Sequence, residues 1–190
     1  MPSRSKQARR LDQLPTWKED GVLNVVVEST RGSAVKLKWD PELEAMTLSR
    51  PLPLGVTFPF EFGFVPSTRA EDGDPLDAAV LMDAPTSAGV VLRVRAIGIV
   101  RASQKGERGR VRNDRLVTVA QADRRRVHMK DVSDLPARER SEIERFFVAA
   151  VALEGKELEL LGWGDARAAR DAIAKASQTK KRRAPSPRSG

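Results

Sequence analysis

The sequence contains no cysteine, no tyrosine and a single histidine, and these absences narrow the kinds of site it can build. Without cysteine, the chain can form no disulfide, no thiolate metal site and no thiol nucleophile. Aromatic residues make up only 5% of the chain. No apolar run approaches the length of about 20 residues that a membrane-spanning helix needs. We therefore predict a protein that does not enter a membrane, with the cytoplasm as its default location.

Positive charge is concentrated at the two ends of the chain. Residues 1–10 contain four cations, residues 178–190 contain five, and neither segment contains an acid. The two ends thus account for the net charge of +8, and the remainder is close to neutral. We predict basic disordered tails at 1–16 and 177–190 around one domain at 17–176. Such tails can contact nucleic acid through its phosphates, without sequence preference.

Short β-branched or alternating segments, separated by turn residues, fill most of the predicted domain. They predict strands over 22–29, 34–40, 45–49, 58–66, 74–83, 90–103, 114–120 and 156–163. Apolar residues at helical spacing predict helices over 135–153 and 165–177, the second capped by Asp165. Many strands followed by two C-terminal helices predict an α+β fold centred on a β-barrel.

The segment Asp72-Gly73-Asp74-Pro75-Leu76-Asp77 carries the clearest chemical signal. Its three carboxylates lie within six residues, just before an apolar strand. Carboxylates this close repel each other unless cations lie between them, and Mg²⁺ prefers such hard oxygen ligands. The spacing predicts that Asp72 and Asp74 lie on a turn and that Asp77 points inward from the start of the strand. By composition alone, an ordinary acidic turn fits the same residues.

The acidic segment resembles the signature of the family I soluble inorganic pyrophosphatases. Glu28 ends a V-V-V-E strand, Lys36 lies in V-K-L-K, and Arg50 precedes F-P-F-E-F-G-F, as in that family. The segment H-M-K-D-V-S-D-L-P at 128–136 extends the similarity, which covers roughly residues 22–175. The resemblance implies an α+β fold with a five-stranded OB-like β-barrel, additional hairpins and two C-terminal helices.

The resemblance also implies an activity, namely that of an inorganic diphosphatase in phosphate metabolism. Such an enzyme hydrolyses pyrophosphate to two phosphates with Mg²⁺, for which Mn²⁺ can substitute. Bound metal ions activate the attacking water and neutralise the leaving phosphate. Family members usually form oligomers, so the resemblance implies a homo-oligomer as well.

Site residues follow from the resemblance position by position. The implied metal ligands are acidic: Asp72, Asp74, Asp77 and Glu28. Among them, Asp77 would bridge two ions, and Asp74 would be the catalytic residue that orients or deprotonates the attacking water. The implied phosphate-binding residues are basic: Lys36, Arg50 and Arg115.

One departure from the family pattern concerns its D-x₄-D-x-K segment. The second aspartate of that segment is Asn113 here, the first falls near Arg108, and the lysine is Arg115. Asn113 therefore lacks a negative charge where a metal ion needs one. We expect that Asp114 or Glu107 could partly replace it if the loop is shifted.

Other departures remove two phosphate ligands on a helix and two hydrogen-bond donors in the aromatic segment. A Tyr-Lys pair on the long helix of the family is Ala150-Val151 here, and two family tyrosines are Phe58 and Phe62. A family glutamate in the second strand is Lys38, a cation that could compensate for a lost one.

Three functions therefore fit the sequence. The first is a pyrophosphatase, either weakened by the missing ligands or rescued by nearby basic residues. The second is a phosphohydrolase of another phosphoanhydride. The third is a degenerate protein of the same fold that binds a phosphate-rich ligand with little turnover. The intact acidic segment favours an enzyme, whereas Asn113, Ala150 and Val151 favour the binding protein.

Overall fold

The computed structural model describes residues 10–106, 109–153 and 157–183. The described residues form ten strands and two α-helices. In chain order these are β1 (Trp17–Glu19), β2 (Val22–Ser29), β3 (Val35–Asp40), β4 (Ala45–Pro51), β5 (Glu61–Phe64), β6 (Asp77–Leu81), β7 (Val91–Gly106), β8 (Gly109–Arg112), β9 (Arg115–Ala120), α1 (Ala137–Val151), β10 (Leu158–Gly164) and α2 (Ala166–Arg183). Two short 3₁₀ helices lie at Leu11–Gln13 and Val132–Asp134.

Five of the strands close into a barrel, in the order β2-β5-β6-β9-β7 and back to β2. The β6–β9 pair is parallel, and the other four pairs of the ring are antiparallel. The 16-residue β7 is long enough to pair with β10 and β8 beyond the ring. The hairpin of β3 and β4 forms a separate two-stranded sheet. This architecture confirms the predicted α+β fold with its five-stranded OB-like barrel and additional hairpins.

Prolines account for the largest differences between predicted and observed strands. The segments 58–66 and 74–83 shorten to β5 and β6 because Pro59, Pro66 and Pro75, which cannot donate to a strand ladder, flank these strands. Strands β1 and β8, of three and four residues, were not predicted. The two helices lie where helical spacing placed them, and Asp165 caps the second, since its Oδ1 accepts from the backbone N–H of Ala168 at 2.8 Å.

An aromatic cluster joins α1 to the barrel. Phe58, Phe60 and Phe62 pack against Phe146 and Phe147, with ring centroids 5.0 to 6.3 Å apart. All five rings are buried. Phe58 and Phe62, which replace family tyrosines, therefore serve the apolar core here.

A second cluster joins α2 to the barrel. Ala169, Ile173 and Ala176 of α2 are buried against strand residues such as Ala78 and Val80 of β6. The alternate residues of β6, Ala79 and Leu81, belong to the aromatic cluster instead. Each face of β6 thus contacts one helix-containing layer, as its unbroken apolar sequence requires.

Both predicted domain boundaries were set too narrowly. Residues 10–16 contact the domain, because Ser67 donates its backbone N–H to Asp12 and Thr16 donates its hydroxyl to the Pro66 carbonyl at 2.9 Å. At the other end, α2 continues through Arg183. The rest of the predicted tails, residues 1–9 and 184–190, lies outside the described residues. No helix in the described part of the chain combines the length and apolarity needed to cross a membrane.

Candidate active site

One cavity of about 730 Å³ brings together most of the side chains that the sequence singled out. It lies among the β3–β4 hairpin, the acidic turn before β6, the β7–β8 hairpin and the C-terminal end of α1. All seven principal candidates line it: Glu28, Lys36, Arg50, Asp72, Asp74, Asp77 and Arg115. Residues that lie up to about 90 positions apart in the chain thus share one chamber.

The acidic segment folds as the spacing predicts. Gly73 has a φ of +95°, a left-handed conformation that glycine adopts without strain. The Asp72 carboxylate accepts from the backbone N–H of Asp74 at 3.1 Å, which fixes the turn locally. Asp77 is the first residue of β6 and lies in register with Arg115 of the parallel strand β9.

Three of the cavity carboxylates have raised pKa values. Burial raises the pKa of Glu28 to about 7, and the nearby charge of Asp77 adds to this, although the Trp39 backbone N–H donates to Glu28 Oε1 at 2.7 Å. Burial also raises the pKa of Asp72 and of Asp77, with the charge of Asp74 acting in the same direction on both. Negative charge is therefore crowded here, as expected of a site that takes up cations.

The basic candidates are held by contacts with the protein. Arg115 is only 5% exposed, lies with its guanidinium carbon 4.9 Å from the centroid of the Phe147 ring, and donates to the Asn113 carbonyl at 2.8 Å. The Lys36 ammonium lies 5.7 Å from the centroid of the Phe62 ring. Such stacking restricts the side chains and leaves them preorganised for an anionic ligand.

The C-terminal end of α1 provides the wall of the cavity where the family has its Tyr-Lys pair. Ala150 and Val151 both line the cavity and are largely buried. Arg50 reaches this wall and donates its Nη1 to the Ala150 carbonyl at 2.9 Å. A guanidinium at a helix C-terminus is stabilised by the partial negative charge of the last carbonyls. Arg50 therefore places a positive charge beside the position that lost the family lysine.

Among the three residues proposed to compensate, only Lys38 lies in the cavity within the part of the chain that is described. Its Nζ contacts Asp74 Oδ2 at 2.8 Å. The expectation for Asp114 was wrong, because its carboxylate accepts two bonds at 2.8 Å from the Arg112 guanidinium and one from the Ala102 backbone, away from the cavity. Glu107 lies outside the described residues.

A residue that the sequence analysis missed lies opposite Asn113. Gln104 of β7 lines the cavity, and its Oε1 accepts from Asn113 Nδ2 at 3.0 Å. The partner position of the family aspartate pair was expected near Arg108, which lies outside the described residues. In the structure, the side chain that faces Asn113 across the β7–β8 hairpin is that of Gln104. The sequence did not indicate this pairing, because it depends on how β7 pairs with β8 and not on a fixed spacing.

Asp12 and Trp39 were also missed as cavity residues. The Trp39 indole donates its Nε1 to Asp12 Oδ1 at 3.2 Å, and both side chains line the cavity. Trp39 is only half-buried. Asp12 belongs to a segment that composition placed in a tail, so no sequence signal marked it.

The donor set fits a hard divalent cation in its chemistry. Carboxylate oxygens are the ligands that Mg²⁺ and Mn²⁺ prefer, and Glu28, Asp72, Asp74 and Asp77 bring such oxygens to one cavity. In the described part of the chain, no three His, Cys, Asp or Glu side chains are arranged to hold an ion as they stand. Asp74 is instead bonded to Lys38. Side-chain adjustment at Asp74 would therefore accompany metal binding.

The fold and the cavity together place the chain in a class of β-barrel proteins whose site combines clustered carboxylates with clustered basic residues. Comparison with known proteins narrows the class. The family model described as inorganic pyrophosphatase matches residues 25–181. The chain is 39% identical over 168 residues to the inorganic pyrophosphatase of Thermus thermophilus, covering 86% of this chain and 93% of that protein. It is 37% identical over 155 residues to that of a Nostoc species, covering 82% and 89%. The chain belongs to the inorganic pyrophosphatase family.

Solved structures agree with this assignment. The crystal structure of the inorganic pyrophosphatase from Thermus thermophilus matches with a TM-score of 0.84 at 36% identity and covers 91% of this chain and 99% of that one. The Helicobacter pylori inorganic pyrophosphatase matches with a TM-score of 0.82 at 28% identity, covering 88% and 98%. The family fold thus extends over nearly the whole described chain.

Proposed function

We propose that this chain is an inorganic diphosphatase that hydrolyses pyrophosphate to two phosphates with Mg²⁺, or with Mn²⁺ in its place. The observation that carries the proposal is the cavity itself, in which five acidic and six basic side chains face each other. Pyrophosphate is a small polyanion that needs both groups: basic side chains for its oxygens and carboxylates for the cations that accompany it.

The family resemblance implies a role for each side chain, and their presence in one cavity supports these roles. Asp72, Asp74, Asp77 and Glu28 would hold the metal ions, which would supply a water of lowered pKa and neutralise phosphate charge when bound. Asp74, on the turn, orients the attacking water and takes its proton. Lys36, Arg50 and Arg115 bind phosphate oxygens, and Arg115 is the most rigidly placed of them because Phe147 and the Asn113 carbonyl hold its guanidinium.

The departures in the cavity predict a slower reaction than in a protein with the full family pattern. The Gln104–Asn113 pair is neutral, and Ala150 and Val151 provide no phosphate contact of their own. The loss of one charged hydrogen bond costs about 1.5–3 kcal/mol, which corresponds to about ten- to a hundred-fold in rate. Arg50 at the Ala150 carbonyl and Lys38 at Asp74 offset part of this loss.

A cytoplasmic location, a homo-oligomeric state and contacts of the basic ends with nucleic acid are further parts of the proposal. The family resemblance supports the oligomer, and the concentration of cations at both ends supports the contacts. Binding of that kind should weaken steeply as salt rises, because phosphate contacts release counterions.

A phosphate-release assay with pyrophosphate and increasing Mg²⁺ or Mn²⁺ tests the proposed activity. We expect metal-dependent release by the wild type and none by Asp77→Asn, which keeps the size of the side chain but removes the charge. Because burial raises the pKa of Asp77, this variant should fold at least as stably as wild type without metal.

Asp171→Asn is the matched control, since Asp171 is exposed on α2 and does not line the cavity. It should keep the wild-type rate. If wild type and Asp77→Asn release phosphate at equal rates, the acidic cluster takes no part in the reaction. The absence of phosphate release from pyrophosphate at every metal concentration would contradict the proposed activity, and parallel assays with nucleoside triphosphates would show whether another phosphoanhydride is cleaved.

A further inference from the structure

Lys38 connects two elements that line the cavity, the β3–β4 hairpin and the acidic turn. It lies on β3, in the two-stranded sheet with β4, and both Lys38 and Asp74 of the acidic turn line the cavity. Its Nζ lies 2.8 Å from Asp74 Oδ2, a distance typical of a short charge-assisted hydrogen bond. The two partners are 36 positions apart in the chain, so tertiary structure alone brings them together.

The charge of Lys38 acts on the whole acidic cluster and not on Asp74 alone. Burial raises the pKa values of Glu28, Asp72 and Asp77, and the positive charge of Lys38 lowers all three. Lys36 acts in the same way, and more strongly than Lys38, on Glu28 and Asp77, and Arg115 does so on Asp77. Lys38 is thus one of the cations that stabilise the ionised carboxylates of this cluster, and it is the one that also forms a direct contact with Asp74.

Binding of a divalent cation to Asp74 competes with this contact. An ammonium and a metal ion that share one carboxylate oxygen repel each other, and Mg²⁺ requires near-ideal octahedral geometry around it. For a cation to take up Asp74 Oδ2, the Lys38 side chain must first leave. The family resemblance implies a glutamate at this strand position, so the substitution reverses the charge at the site.

We propose that the Lys38 ammonium is a tethered cation that takes the place of one divalent cation in the cavity. The inference rests on the proposed function in one respect, namely that the acidic cluster binds metal. It adds that this chain binds fewer divalent cations, or binds the last one more weakly, than a chain with an acid at position 38 would. Part of the charge neutralisation that pyrophosphate needs is then supplied by the protein itself.

Counting bound Mn²⁺ by electron paramagnetic resonance and calorimetry, without pyrophosphate, tests the proposal. Lys38→Glu should bind one more Mn²⁺ per chain than wild type, or bind the weakest ion at least about tenfold more tightly, since added ligand charge strengthens such sites. Lys38→Gln, which removes the charge but adds no ligand, should tighten binding by a smaller factor. Lys38→Arg should resemble wild type.

The fold is expected to survive these changes, because the side chains of Lys38 and Asp74 are 48% and 57% exposed and exposed ion pairs contribute little to stability. Lys18→Glu is the matched control. It makes the same change in net charge at an exposed residue of β1 outside the cavity, and it should leave Mn²⁺ binding unchanged.

Two results would overturn the proposal. One is the same number and affinity of Mn²⁺ ions in wild type, Lys38→Gln and Lys38→Glu. The other is equal tightening by Lys18→Glu, which would assign the effect to overall charge and not to the contact with Asp74. Neither result depends on hydrolysis. A failed phosphate-release assay would contradict the proposed activity and leave the measured number of bound Mn²⁺ ions unchanged, so the two proposals are tested separately.

Discussion

At the scale of single residues, Asn113, a departure from the family pattern, is paired with a second amide in the cavity. Gln104 and Asn113 face each other and bond side chain to side chain at 3.0 Å. Amide oxygens can ligate a metal ion, but they are neutral and bring no charge to offset that of the ion. The change from a carboxylate to an amide at Asn113 is therefore expected to weaken metal binding without disturbing the local packing.

Asn113→Asp should raise the Mn²⁺ affinity of the chain by about tenfold, because it adds one negative ligand to the site. Gln104 can accommodate the new carboxylate by rotating its amide so that the NH₂ group donates. Calorimetric titration with Mn²⁺ measures the effect. Gln13→Glu, the same change of charge at an exposed residue outside the cavity, is the control. Unchanged affinity in Asn113→Asp would mean that Asn113 does not face the metal ions.

At the scale of strands and helices, the close pairing of β2 with β5 sets the shape of the barrel beneath the cavity. Gly63 of β5 lies against the backbone of β2, where an added Cβ would stand 1.8 Å from the Val26 carbonyl oxygen. The obstacle is backbone and cannot rotate away. Gly63 is thus required because β2 and β5 approach each other closely. The alternation of phenylalanines in the sequence does not reveal this close approach.

Gly63→Ala should therefore destabilise the protein by about 3 kcal/mol or more, as expected when a buried site is overpacked against a rigid neighbour. Chemical denaturation followed by circular dichroism provides the measurement. Gly55→Ala is the comparison, because Gly55 has open space around it but a φ of +79°. Its cost should be only about 1–2 kcal/mol, that of the left-handed backbone alone. Equal effects of the two changes would show that β2 and β5 do not pack so closely.

At the scale of the whole molecule, the buried acidic cluster makes the stability of the metal-free chain depend on pH. The folded-state pKa of Glu28, about 7, lies above the ordinary value of 4.5. The folded chain therefore keeps a proton that the unfolded chain releases between these values. Below pH 4.5, Glu28 is protonated in both states and its burial costs no stability. As the pH rises from 4.5 through 7, the free energy of unfolding falls.

Glu28→Gln isolates this contribution, because the amide oxygen can still accept from the Trp39 backbone N–H while the carboxyl group is gone. In the presence of a chelator, the variant should gain stability relative to wild type as the pH rises from 4.5 to 7. The gain approaches about 3 kcal/mol at the upper end. Asp83, Asp131 and Asp134, whose pKa values are lowered by hydrogen bonds, act in the opposite direction, but they cancel in the difference. Melting curves at several pH values measure it, and a difference that does not vary with pH would contradict the assignment.

The sequence by itself determined the features that are local or strongly patterned. Period-two alternation and helical spacing located most strands and both helices, and the acidic turn carried its own chemistry, because Gly73 and the spacing of Asp72, Asp74 and Asp77 act within six residues. Residue by residue, similarity to a known family then pointed to Glu28, Lys36, Arg50 and Arg115, all of which line the cavity.

Only the tertiary structure decided which distant side chains meet. The contacts of Lys38 with Asp74, of Gln104 with Asn113 and of Arg50 with the Ala150 carbonyl depend on strand register and on where α1 ends. Asp114 shows the same dependence, since the backbone N–H of Ala102 on β7 donates to its carboxylate. A one-residue change of register reverses the face of every side chain on a strand, so short-range pattern cannot determine such pairs.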